Sequence, residues 1–274
     1  MTGTRFEVEL DGTRVVGDRW QGPGPTVVLL HAGVTDRRGW REVAELLAPA
    51  ADVITYDRRG FGESPVAANP FSHLDDLLVI LDRLACQSAW LVGSSMGGGL
   101  AVDAALVAPA RIAGLVLIAP GVSGGPDLED LDAATARLDE LLDRAAELAD
   151  HDEVNRLETW LWLDGPAGPE GRVGGEAREL ALAMNAVILG NDQGGAAGRS
   201  EPDAWSRLGE IPVPATVIWG ELDVASIAEE SRLIAQVLPN AVSRVLPGVA
   251  HLPYVERPGI VADALLEALS LPAR

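Results

Sequence analysis

Two alternating runs, Arg5 to Leu10 and Thr13 to Trp20, flank Asp11-Gly12, a dipeptide suited to a tight β-hairpin turn. After Gly22-Pro23-Gly24-Pro25 the pattern changes to continuous apolar runs of the kind buried on both faces of a sheet. These are Thr26 to Leu30, Asp52 to Asp57, Ala89 to Val92 and Ile112 to Ala119. Between them lie stretches with helical spacing: Trp40 to Ala48, Phe71 to Ala85 and Met96 to Val107. Strand and helix therefore alternate from residue 26 onward, which predicts a mostly parallel sheet covered by helices on both faces. The leading hairpin adds antiparallel strands at one edge.

The alternation stops at Gly121, and no strand-like run follows until about Trp205. Leu128, Leu131, Leu138, Leu141, Leu142, Ala145 and Leu148 share one helical face. A second helical segment surrounds Trp160 and Trp162, and a third runs from about Glu176 to Leu189, with glycine-rich joints at 164–175 and 190–199. The sheet resumes at Ala215 to Trp219, followed by a helix near Ile227 to Val237, a strand at Ala241 to Leu246 and a helix from Gly259 to Leu269. The expectation is an α/β core of eight strands, residues 1–120 and 206–274, with residues 121–205 inserted as a helical lid (cap) subdomain. A chain of 274 residues suits one core with one insertion.

Composition removes several function classes. The net charge of −20 makes nucleic acid and anionic membrane surfaces unexpected partners. Every basic side chain is arginine, so Schiff-base chemistry and a phosphate-gripping P-loop lysine are excluded. The single cysteine, Cys86, allows no internal disulfide and reads as a packing residue. The N-terminus has no apolar segment of a targeting signal and no apolar run could span a bilayer, so the expected location is cytoplasmic. Oligomeric state is not encoded in any pattern here.

The most informative stretch is Gly93-Ser94-Ser95-Met96-Gly97, a Gly-x-Ser-x-Gly between a strand and a helix. A serine at such a hairpin is held in a strained backbone conformation, and its neighbours two residues away must lack side chains for the chain to reverse. Ser95 is the expected nucleophile; Ser94 lies off the motif centre. The amide of Met96, at a helix N-terminus, can donate to a developing oxyanion.

Of four histidines, His251 follows the last strand in a loop, where parallel sheets place their chemistry. It is the expected general base. His31 is read as a loop support, and His73 and His151 as solvated surface groups. Asp223, after the Ile218-Trp219-Gly220 strand end, is the expected acid that orients His251; Asp127, after the preceding strand, is the alternative. The second oxyanion amide belongs to the turn after the first parallel strand, at Gly33 with Val34 as the alternative. Arginine and aspartate in Asp57 to Ser64 are read as an internal ion pair bracing that loop.

His31-Ala32-Gly33, Asp57-x-Arg59-Gly60-x-Gly62-x-Ser64, Gly93-Ser94-Ser95-Met96-Gly97-Gly98 and His251-x-Pro253-x-x-Glu256-Arg257-Pro258 together resemble the α/β-hydrolase superfamily over nearly the whole chain. Within it the chain looks like bacterial esterases, enol-lactonases, haloperoxidase-like perhydrolases and carbon–carbon bond hydrolases. The resemblance implies a Ser95–Asp223–His251 triad and oxyanion amides on Gly33 and Met96, with no metal and no organic cofactor. Position 32 departs from the usual His-Gly pair, and the glycine-rich stretch of carbon–carbon bond hydrolases is absent. A serine at 95 excludes the aspartate-nucleophile branch. The expected substrate is a small molecule with a small or medium, uncharged acyl group, met by Val34, Trp160 and Trp162. Outside plain hydrolysis stand perhydrolysis, cofactor-free oxygenation and a receptor-like binding role.

Overall fold

The computed structural model describes residues 3–10, 12–66, 69–128, 132–191 and 203–270. Its centre is one eight-stranded sheet in the order β1-β2-β4-β3-β5-β6-β7-β8. The strands are β1 (Thr4–Leu10), β2 (Thr13–Trp20), β3 (Thr26–Leu30), β4 (Asp52–Tyr56), β5 (Ala89–Ser94), β6 (Ile112–Ile118), β7 (Ala215–Gly220) and β8 (Ala241–Leu246). β1 and β2 pair antiparallel, as does β2 with β4, and every other pairing is parallel.

The continuous apolar runs are explained by two cores. Along β3, Val28 and Leu30 enter one hydrophobic cluster while Val27 and Leu29 enter the other. β6 repeats the division, with Leu115 and Leu117 on one face and Val116 and Ile118 on the opposite face. A strand with both faces buried cannot alternate apolar with polar. Each such side chain contributes about 1.5–3 kcal/mol of burial.

The helices are α1 (Arg41–Leu47), α2 (His73–Arg83), α3 (Met96–Val107), α4 (Ala133–Glu147), α5 (His151–Thr159), α6 (Gly175–Gly190), α7 (Ala204–Arg207), α8 (Ala225–Val237), α9 (Pro253–Glu256) and α10 (Pro258–Ala268). α2 and α3 cover one sheet face and α1 and α10 the other. Helices α4 to α7 lie between β6 and β7 in sequence, and no strand occurs there among the described residues. α5 runs directly into a single π-helical turn, Trp160–Asp164.

The helical insert has its own apolar cluster of Leu138, Ala145, Leu157 and Leu161, flanked by Leu141, Leu142, Val154, Trp160 and Trp162. Val224 and Ile227, just beyond β7, complete it and tie it to the core. Two expectations for this segment need correction. Leu128 precedes α4 and belongs to no helix, and Leu148 is 75% exposed at the α4 terminus instead of packed. Leu131 and most of the 190–199 joint lie outside the described residues. No described helix is long and apolar enough to cross a membrane.

Candidate active site

Ser95 stands between β5 and α3 with φ 52° and ψ −117°, a conformation that costs a non-glycine residue of order 1–3 kcal/mol. The surrounding turn holds it there. The Ser95 amide donates to Ile118 O (2.9 Å), and its carbonyl accepts from Gly98 (2.8 Å), Gly99 (3.1 Å) and Gly121 (3.1 Å). The flanking glycines are demanded by close approach. A Cβ at Gly93 would sit 2.2 Å from Gly97 O, and one at Gly97 would sit 2.4 Å from Leu30 O. Ser95 stays half-buried at the surface of this turn, whereas Ser94 is fully buried in β5.

β7 and β8 end beside each other at the same edge of the sheet, which brings together the loops that follow them. His251 Nδ1 lies 3.0 Å from each carboxylate oxygen of Asp223. The pair is shielded, with the imidazole 3% and the carboxylate 0% exposed. Asp223 Oδ1 also accepts from the Val224 amide (2.8 Å), a second hold on the carboxylate besides the ring. Asp127 is exposed on the loop after β6, and Glu221 is exposed with its carboxylate on the Gly248 amide (2.8 Å).

The turn after β3 is braced from behind by Arg58. Its Nη2 donates to His31 O (2.9 Å) and Ala32 O (3.0 Å), and its amide donates to His31 Nε2 (3.1 Å). His31 Nδ1 lies 2.8 Å from Ala32 O and serves as donor there, since Nε2 is already accepting. In a trans peptide the N–H points opposite the carbonyl. With Ala32 O drawn toward Arg58, the Gly33 amide is aimed the other way. The preceding amide, of Ala32, is taken by Thr35 Oγ1 (3.1 Å). A Cβ at Gly33 would lie 3.3 Å from Met96 Cε, so the two expected oxyanion residues are neighbours.

Burial and the Arg58 charge hold His31 well below the ordinary imidazole range, which suits a fixed neutral brace. Tyr254, whose hydroxyl is 2.6 Å from Thr35 Oγ1, stacks on Trp40 at 3.9 Å and is pushed up to about 12 by burial.

Two sequence readings are corrected here. His73 is not solvated: it meets Phe61 and Phe71 edge-on, and burial, with Arg58 and Arg59 nearby, lowers it to about 3. The arginines and aspartate of the 57–64 loop do not pair with each other. Asp57 pairs with Arg37, and Arg59 with Asp76 at 2.6 Å. His151 is exposed and Cys86 buried, as the sequence suggests.

The two tryptophans part company. Trp162 places its ring 4.8 Å from the His251 ring at a 45° tilt, whereas Trp160 donates from Nε1 to Gly168 O (2.9 Å) within the insert. Val34 is half-buried next to Gly33. Thr35, Tyr254 and Arg58 were not identified as site supports from the sequence; Arg58 sits in the quoted loop motif, but its partner is 27 positions away. Among the described residues, no group of three or more His, Cys, Asp or Glu side chains could hold a metal ion.

A family model described as "alpha/beta hydrolase fold" matches residues 25–258. A Bacillus subtilis (strain 168) protein that carries, provisionally, the name 2-succinyl-6-hydroxy-2,4-cyclohexadiene-1-carboxylate synthase is 30% identical over 273 residues, covering 95% of this chain and 96% of that protein. The pimeloyl-[acyl-carrier protein] methyl ester esterase of Chromobacterium violaceum is 30% identical over 257 residues, covering 92% and 97%. Among solved structures, a thermophilic esterase from Thermogutta terrifontis superposes with a TM-score of 0.76 at 26% identity, over 97% of this chain and 98% of that one.

Proposed function

Because this chain belongs to the α/β-hydrolase family, we propose that it is a serine hydrolase cleaving a small or medium, uncharged ester or lactone through an acyl-enzyme on Ser95. The observation that carries the reading is the strained, half-buried Ser95 at the strand-to-helix elbow, on the sheet edge where Asp223 meets His251. Strain of that kind persists where the surrounding structure imposes it, and here it lifts a hydroxyl out of the backbone turn.

In this reading His251 takes the Ser95 proton as the hydroxyl oxygen attacks the carbonyl carbon. The amides of Met96 and Gly33 receive the oxyanion, and Asp223 keeps the ring oriented and stabilises its protonated form. His251 then protonates the leaving oxygen, and water repeats the cycle on the acyl-enzyme. The side chains beside this edge, Trp162, Val34 and Met96, are uncharged, which supports an uncharged acyl group. Esterase names among the relatives support ester cleavage.

The test is a fluorophosphonate label mapped to its peptide, run beside an ester series of increasing acyl length. Ser95 should carry the label, and Ser95→Ala should lower turnover by roughly 10⁴- to 10⁶-fold. Activity of the alanine variant within tenfold of the parent would refute the assignment. One observation favours a second reading: a relative named as a synthase means that triad chemistry without net hydrolysis belongs among the tested outcomes. Product analysis with and without peroxide or oxygen separates perhydrolysis and oxygenation from ester cleavage, and a stoichiometric burst without turnover would mark a receptor-like protein.

A further inference from the structure

The segment after the π-helical turn touches both loops that carry the His251–Asp223 pair. Gly165, with φ 85°, ends that turn, and a Cβ there would lie 2.4 Å from Leu222 O and 3.3 Å from Ala250 Cβ. Those two residues immediately precede Asp223 and His251. Seven positions further on, Arg172 reaches across to the same loop. Its Nη1 and Nη2 meet the two oxygens of Glu256 at 2.5 and 2.8 Å, and Nη1 also donates to Gly248 O at 3.2 Å. Back toward the insert, Nε donates to Asp164 O (2.6 Å) and Nη2 to Leu163 O (2.9 Å). All five guanidinium donors are thereby used. Glu256 Oε2 in turn accepts from the amide of Ala250 (3.1 Å), the residue before His251.

The insert end of this bridge is itself rigid. The fully buried Asp164 carboxylate accepts from the amides of Gly171 and Val173, both at 2.8 Å, and from Arg178 Nη1 at 2.6 Å. The Arg172–Glu256 pair is largely shielded, at 20% and 6% exposed. A planar fork held at both ends transmits position far better than a flexible ammonium would.

We propose that Arg172 is a positioning residue. Through Glu256 it fixes the Ala250–His251 backbone, and so sets the imidazole against Asp223, making the insert part of the apparatus that aligns the base. The inference rests on the Ser95–His251–Asp223 reading above. A ring displaced by an ångström loses rate without losing substrate affinity, at about 10²-fold per such displacement.

The test compares Arg172→Met and Glu256→Gln with Arg156→Met. The last breaks the insert's Arg156 pairs with Glu153 and Glu170, whose further ion pair runs to Arg178 (3.6 Å) within the insert and not to Arg172 or Glu256. In Arg172→Met and Glu256→Gln, kcat should fall about 10- to 100-fold with KM within about threefold, while Arg156→Met keeps parental values. A proton NMR spectrum should lose or broaden the downfield resonance of the His251–Asp223 hydrogen in the first two variants alone. If Arg172→Met does not fold, Glu256→Gln carries the same comparison. The proposal is overturned if a folded variant of the pair keeps kcat within twofold and an unchanged downfield resonance, or if Arg156→Met loses as much. Failure of the underlying reading is seen separately, as absence of fluorophosphonate label on Ser95 in the parent protein, and the NMR comparison needs no substrate.

Discussion

With its Nδ1 equidistant from both oxygens of Asp223, the His251 ring has one nitrogen committed, and in the proposed triad the other takes the Ser95 proton. An amide at position 223 would present an N–H to the ring and stabilise the wrong tautomer. Asp223→Asn should therefore cut kcat/KM by about 10³- to 10⁴-fold with an intact fold, and slow fluorophosphonate labelling in parallel, both readable in a stopped assay. At this scale much was legible in advance. Ser95 and Asp223 follow strands that apolar runs reveal and His251 follows the more mixed Ala241–Leu246, so their place at the same end of parallel strands comes from topology. Partners at long range were not legible. Nothing local to Asp57 names Arg37, and nothing near Glu256 names Arg172, 84 positions earlier.

At the scale of elements, the elbow is a packing problem before it is a catalytic one. β5 must turn into α3 within reach of β3, and Gly97 lies against the carbonyls of both Leu30 and His31. A methyl group at 97 would meet Leu30 O at 2.4 Å and His31 O at 2.7 Å, backbone atoms that cannot swing aside. Gly97→Ala should cost about 3 kcal/mol in a denaturant melt. It should also reduce activity in the fraction still folded, because the atoms that must shift belong to the turn carrying the Gly33 amide. The elements themselves were readable wherever burial imposed a period, as in the two-core strands. Their ends were less so. The leucine pattern from 128 to 148 overran α4 on both sides, since Leu128 stays outside it and Leu148 finds no neighbour to pack against. The π-helical turn at Trp160–Asp164 had no sequence signature, and the Arg172 side chain that meets its Leu163 and Asp164 carbonyls comes from outside it.

On the scale of the whole molecule, two imidazoles near Arg58, the fully buried His31 and the partly buried His73, are both held neutral. Burial, with Arg58 beside both and Arg59 beside His73, sets His73 to about 3 and His31 well below its ordinary range. Folded-state values below the unfolded 6.5 leave stability intact above that pH, where neither state binds the proton. Below it the unfolded chain takes up protons that the folded chain refuses, so stability falls as pH drops from about 6.5 toward 3. His73 contributes about 1.4 kcal/mol per pH unit in that window. Other groups titrate there too, Asp57 among them, so the comparison must isolate one histidine. His73→Phe does so, because the nest of Phe61 and Phe71 accepts an aromatic ring and every other group cancels in the difference. Urea melts at pH 7 and pH 5 should show the variant losing about 2 kcal/mol less than the parent between the two conditions. Equal losses in both proteins would mean that His73 gains its proton in the folded state as readily as in the unfolded one, and that the aromatic nest does not exclude the charge.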